Sequence, residues 1–146
     1  FFLEEAIESL QIGQAMYRSK PTTWSLSRLG FFYTILKKGT SYDEKNHYCE
    51  IIKQIEAYDI QHKTEYLKTM TVYLENLMDA KKTSSELYIH RNTLRQRIQK
   101  IMSDWDIDFS DSIAMINLLI AIKSTLVCSF YTSDTKNDQG NIRNPV

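Results

Sequence analysis

The sequence predicts an all-α protein, in which amphipathic helices lead into a helical domain containing a helix-turn-helix. Three observations predict it. Apolar residues recur near the 3.6-residue helical period in successive segments, and no alternating strand pattern exceeds a few residues. Only four Gly and two Pro occur in 146 residues, which favours helices with short connections. Two short helical segments, about Lys82 to Leu87 and Arg91 to Ser103, follow each other across Tyr88-Ile89-His90.

The first helix is expected over Leu3 to Tyr17, where Leu3, Ala6, Ile7, Leu10 and Met16 recur at helical spacing. Ser19 to Thr23, with Pro21, ends it. Ser25 can cap a second helix carrying Leu26, Leu29, Phe32, Tyr33 and Leu36, and Gly39 terminates it. After the turn at Ser41 to Glu44, Tyr48, Ile51, Ile52, Ile55 and Tyr58 form the stripe of a third helix. A fourth, about His62 to Met78, carries Tyr66, Met70, Tyr73, Leu74 and Leu77. The two short helices follow, and then a long apolar one from about Asp111 to Phe130. Its most apolar run, Ile113 to Ile122, is ten residues interrupted by Asn117, too short to span a bilayer and read as a buried helix. Beyond Tyr131 the composition turns to Ser, Asp, Asn, Gln and Gly and reads as a disordered tail.

The net charge is zero, but it is unevenly spread. Lys81 to Lys100 holds six basic residues against one acidic, a net of +5, which leaves −5 on the rest. A localised basic stretch is the footprint of a phosphate-binding surface, although a solvated helix face has the same composition. Cys49 and Cys128 are in no metal-ligand spacing and are too few for a disulfide scaffold, so reduced thiols in a cytoplasm are expected. The start at Phe1-Phe2-Leu3, followed by Glu4-Glu5, shows no signal peptide and reads as the interior of a longer protein.

Enzymatic readings find little support. The four Gly form no phosphate-cradling loop, and His47, His62 and His90 have no zinc-type spacing or attendant nucleophile. Asp104, Asp106 and Asp108 resemble a calcium loop, but Phe109 stands where Gly is required and Met115 where Glu is. Helix capping is the better use of these carboxylates and of Asp111. No catalytic residue, cofactor or metal is expected.

The second short helix sorts into faces at about 100° per residue. Leu94, Ile98 and Ile101 mark its buried side, and Leu87 and Ile89 can complete a small core beneath the turn. Asn92, Gln96, Gln99 and Ser103 lie opposite, with Thr93 and Lys100 on one flank and Arg95 on the other. Arg91 stands at the N-terminus, where recognition helices commonly touch bases. Arg pairs with guanine edges, Asn and Gln with adenine, and Thr, Lys and Arg with phosphates. Thr83, His90, Arg91, Asn92, Thr93, Arg95, Gln96, Arg97, Gln99 and Lys100 are therefore the candidate DNA-contacting set. His90 also has a structural reading as a turn residue or helix cap. Trp24 and Trp105 read as core or interface anchors rather than stacking platforms.

His90-Arg91-Asn92-Thr93-Leu94 followed by Arg97-Ile98 resembles the C-terminal domain of the purine-catabolism and sugar-diacid regulator (PucR/CdaR) family. Thr83-Ser84 and Leu87 stand in the family's order before that segment, with Ser84 where Ala is usual. Tyr58-Asp59, Leu67 to Met70 and Tyr73-Leu74 resemble its upstream segment, with Met70 in place of Leu. Asp106 to Asp111 and Leu118 to Ala121 fit downstream, so the likeness covers about Leu26 to Lys123. The helix-turn-helix is also similar to the Fis type, in which residues matching Arg91, Thr93 and Arg95 contact DNA; Gln96 stands where a Lys is common.

The resemblance implies a sequence-specific DNA-binding domain of a bacterial, cytoplasmic transcription regulator, with a recognition helix over about 91–103 in the major groove. It divides the chain into an N-terminal helical segment at 1–60, the helix-turn-helix domain at 61–131 and the tail at 132–146. The implied partner is an operator in double-stranded DNA, bound by a full-length homodimer without a membrane. Effector binding would belong to a region before Phe1. The rival expectation is a helical protein-interaction module with a degenerate helix-turn-helix. Its exposed helix would normally carry apolar anchors, where this one carries Asn92, Gln96 and Gln99.

Overall fold

A computed structural model of the chain describes Ile7, Leu10 and residues 46–138, with side chains through 126. Ile7 and Leu10 are helical; the rest of the helices expected over Leu3 to Tyr17 and Ser25 to Gly39, and Trp24, lie outside the described residues. The described residues from 46 onward form five helices and no strand, as the sequence predicts: α1 (His47–His62), α2 (Tyr66–Glu75), α3 (Ala80–Glu86), α4 (Arg91–Asp104) and α5 (Ser112–Asp138).

Each helix begins where a side chain can accept from otherwise orphaned amides. Asn46 accepts from the amides of Tyr48 and Cys49 at the start of α1. α1 buries Ile51, Ile52 and Ile55, the heart of the expected stripe, and ends at Lys63, whose φ of 55° is left-handed. That residue breaks the helix expected from His62 onward. The apolar period continues through the break, so periodicity alone gave no sign of it. At the start of α2, Glu65 makes no capping bond; Asp59 of α1 takes the part instead, its carboxylate accepting from the amides of Tyr66 and Leu67 at 2.8 Å each. α2 is thereby tied to α1, and the two pack together.

α2 ends at Glu75 rather than near Met78, because Leu77 and Met78 both adopt positive φ, at 53° and 63°. Asp79 then accepts from the Lys82 amide and starts α3. That bond, before any other cause, holds the Asp79 carboxyl below its ordinary value of 3.8. α4 packs on both α2 and α3. The core shared by these helices includes Ile55, Met70, Val72, Leu94 and Ile101, all but inaccessible to solvent.

Asp111 caps α5 through the amides of Ile113 and Ala114. One side of α5 is buried at Met115, Leu118, Ala121 and Ile122, while Ile113 and Ile116 are exposed. The apolar run is thus covered on one side over this stretch rather than all round. α5 runs to Asp138, past Tyr131 where the composition turns polar, because Ser, Thr, Lys and Asp without Gly or Pro do not interrupt a helix already under way. Among the described residues, 46–122 belong to one compact unit, which includes α1.

Candidate nucleic-acid interface

The connection between α3 and α4 is a tight helix-ending motif. The Ile89 amide donates to the Ser84 carbonyl and the Tyr88 amide to that of Ser85, so two carbonyls at the end of α3 are satisfied by the turn itself. The pattern requires a left-handed residue, which is Tyr88 at φ 54°. A Gly is usual there, and a residue with a side chain costs about 1–2 kcal/mol more. His90 has extended backbone and its Nδ1 accepts from the Asn92 amide at 3.2 Å, capping α4. An accepting Nδ1 puts the proton of the neutral ring on Nε2. The capping role expected as one reading of His90 is therefore its role in this fold.

Leu94, Ile98 and Ile101 point α4 into the interior as the helical wheel requires, with Leu87 and Ile89 half-buried beneath the turn. Ser84, small and buried, lets α3 approach α4 closely. His90, Arg91, Asn92, Thr93, Arg95, Gln96 and Gln99 are all exposed and come together on and around one strip of α4.

Three residues of the candidate set are placed elsewhere. Thr83 is fully buried, and among the described residues its Oγ1 has no hydrogen-bond partner. It shares a face of α3 with Leu87, one turn later, and that face turns toward the protein. A DNA-contacting role for Thr83 is thereby corrected to an interior one. Arg97 leans back on α2, its Nη1 donating to Thr69 Oγ1 at 3.0 Å and lying 3.8 Å from the Glu65 carboxylate. Thr69 in turn donates to the Glu65 carbonyl. Lys100 is half-buried and bonds Asp104 at 2.6 Å, with its Nζ 5.3 Å from the centre of the Tyr58 ring. The hydrogen bond to Asp104 raises the Lys100 pKa above its ordinary 10.5. The same bond, helped by Ser103, holds Asp104 below 3.8.

This α2 side of the site lay outside the candidate set. Glu65 and Thr69 anchor α4 through Arg97, and Tyr58, Tyr66 and Trp105 form an aromatic group at the C-terminal end of α4. The wheel held a signal for Arg97, which stands about 60° from Leu94, closer to the buried face than to Gln96.

The acidic run after α4 is engaged in local structure. Asp108 accepts from the Ser110 hydroxyl and amide, which lower its pKa, and Asp111 caps α5. Among the described residues no group of three or more His, Cys, Asp and Glu could hold a metal ion, and no helix is long and apolar enough to cross a membrane.

Residues 66–124 match the PucR C-terminal helix-turn-helix domain. The chain is 30% identical over 111 residues to the proline-responsive transcriptional activator PutR of Bacillus subtilis, a match covering 73% of this chain and 26% of that protein. It is 23% identical over 120 residues to the DNA-binding transcriptional activator AdeR of the same organism, covering 82% of this chain and 28% of that protein. The chain thus spans little more than a quarter of the relatives it matches. No solved structure matches it.

Proposed function

We propose, from the premise that residues 66–124 are a PucR C-terminal helix-turn-helix domain, the DNA-binding domain of a transcription regulator, that α4 is the recognition helix and lies in the major groove of an operator. The observation that carries this reading is the exposed polar strip of α4 on a helix held from below by Leu94, Ile98 and Ile101. Asn92 and Gln96 stand at its centre and reach base edges. Arg91, Thr93, Arg95 and Gln99 flank them, with His90 at the entry to the helix. Thr83 plays no part because it is buried, and Arg97 and Lys100 contribute first by fixing the helix on α2 and at its own C-terminal end.

The whole protein is then a bacterial regulator rather than an enzyme, acting in the cytoplasm on double-stranded DNA. One helix-turn-helix reads only a few base pairs, too few to stand out among genomic competitors. Two copies related by a two-fold axis, with recognition helices about 34 Å apart on a palindrome, solve that problem, and the full-length protein is a homodimer in this reading. If the protein binds an effector, that binding belongs to a part of it outside this chain.

The test is binding to a duplex that the chain selects from a random-sequence pool, measured across salt concentrations. Affinity should fall steeply as salt rises, and Asn92→Ala should lose about 1–3 kcal/mol against the selected duplex with little change on competitor DNA. Binding that is absent, or indifferent to salt, would sink the reading.

A further inference from the structure

On the side of α4 away from Arg97, an open groove of about 270 Å³ runs alongside the helix. Leu94 and Ile98 line it at depth. Arg91, Arg95 and Gln99 of the same helix line it too, with Tyr73 of α2 and Ala80 of α3. The chemistry of the groove is one-sided. Arg91 and Arg95 are both exposed, and among the described residues neither makes an ion pair or a side-chain hydrogen bond. Among the described residues no carboxylate lines the groove, and Gln99 and the phenol of Tyr73 can donate hydrogen bonds. Arg97 and Lys100, by contrast, are satisfied within the fold.

Two uncompensated guanidiniums one helical turn apart, beside neutral donors, match an oxyanion with several acceptor oxygens. Position on the wheel says which oxyanion. Arg91 is about 100° round the helix from Asn92, and Arg95 about 100° from Gln96. When Asn92 and Gln96 face base edges, the two arginines face sideways, toward the strand that walls the groove. We propose that this groove seats one phosphodiester of the DNA backbone, held by Arg91 and Arg95 and bordered by Tyr73. The proposal rests on α4 being the recognition helix. It moves Arg91 and Arg95 from base recognition to backbone positioning, which fixes the register in which Asn92 and Gln96 meet the bases.

The experiment uses the whole chain and the duplex it selects. Methylphosphonate linkages, each removing one backbone charge, are placed singly along both strands. At one linkage per bound chain, wild-type affinity should fall by about tenfold, the worth of a charge-assisted contact. At that linkage the Arg95→Gln chain should lose less than twofold, and its salt slope on the unmodified duplex should be lower by about one ion. Circular dichroism and thermal melting show that the variant is folded. If Arg95→Gln relaxes preference at a single base pair while keeping the wild-type salt slope, the arginine reads a base and the proposal is overturned. It is equally overturned if no linkage shows coupling to Arg95 or to Tyr73→Phe. Inorganic phosphate at constant ionic strength should leave the melting temperature unchanged; stabilisation by it without linkage coupling would make the groove a free-anion site. Wild-type binding without coupling removes only the phosphate seat, whereas no binding to any duplex removes the DNA reading itself.

Discussion

Arg97 and Lys100 on one flank of α4 turn their charge inward, to Thr69 and Glu65 and to Asp104. Arg91 and Arg95 on the other stay exposed and unpaired among the described residues, beside a groove without carboxylates. All four residues lie in the same basic stretch, and composition counts them alike. The difference teaches that a +5 window is not a +5 surface. Part of the charge fixes where the helix sits, and the remainder is available to a ligand.

The widest test of that comparison removes what both flanks stand on. Leu94 is 1% exposed beneath α4. Leu94→Ala should destabilise the fold by about 2–5 kcal/mol in chemical denaturation, as buried Leu truncations do. An unshifted transition would mean that α4 is turned differently and that the two flanks are misassigned.

Arg97 sharpens the contrast. Its bond to Thr69 is charge-assisted and its side chain is only a quarter exposed. Arg97→Gln should cost about 1–3 kcal/mol of stability. The salt slope of DNA binding should stay at its wild-type value, since this charge faces α2. A slope reduced by about one ion would put Arg97 on the DNA instead.

Thr83 gives a smaller effect of opposite sign. A buried hydroxyl without a partner carries a desolvation cost that an isosteric methyl avoids. Thr83→Val should range from neutral to about 1 kcal/mol more stable, with DNA affinity unchanged. Loss of affinity in a folded Thr83→Val chain would restore the contact role that burial takes away.

The smallest effect is electrostatic. Asp104 is held below 3.8 by Lys100, so the pair stabilises the fold above the unfolded value and fades as pH falls through the folded one. Lys100, raised above 10.5, behaves conversely: its contribution is present below the unfolded value and is lost as pH rises through the folded one. Between these limits the pair is intact. Wild type and Asp104→Asn should differ slightly in melting temperature at pH 7, and the difference should shrink as pH falls below the ordinary carboxyl value of 3.8. A difference that stays undiminished down to full protonation of the carboxyl would assign the effect to something other than the ion pair.

The helical period was enough to place Ile51, Ile52 and Ile55 on one side of α1 and Leu94, Ile98 and Ile101 on one side of α4, because burying an apolar face leaves a direct trace in spacing. The turn was legible too, since Tyr88-Ile89-His90 interrupts two patterned segments. What escaped were events that leave no such trace. Lys63 and Leu77 take left-handed backbone although neither is Gly or Asn, so the bounds of α2 could not be read from breaker residues. Asp59 caps a helix other than its own, and Arg97 meets a Thr 28 residues away, both of which depend on packing rather than on order along the chain. Exposure of the candidate set followed the wheel for Arg91, Asn92, Arg95 and Gln96 and failed for Thr83, where the face shared with Leu87 was the available clue.

The turn between α3 and α4 is closed at both ends within the protein itself, by Ile89 and Tyr88 bonding back to α3 and by His90 holding the first turn of α4. Its consequence is thermodynamic. A segment that folds only on its target gives up backbone entropy at that moment, about 1–2 kcal/mol per residue. Here that ordering is complete beforehand, so association bears only surface desolvation and the stilling of side chains, and its speed follows diffusion and long-range attraction rather than a folding step. A helix that meets every duplex in one shape leaves the adjusting to the DNA, and sequences that bend or twist cheaply toward it are favoured even at base pairs it never touches.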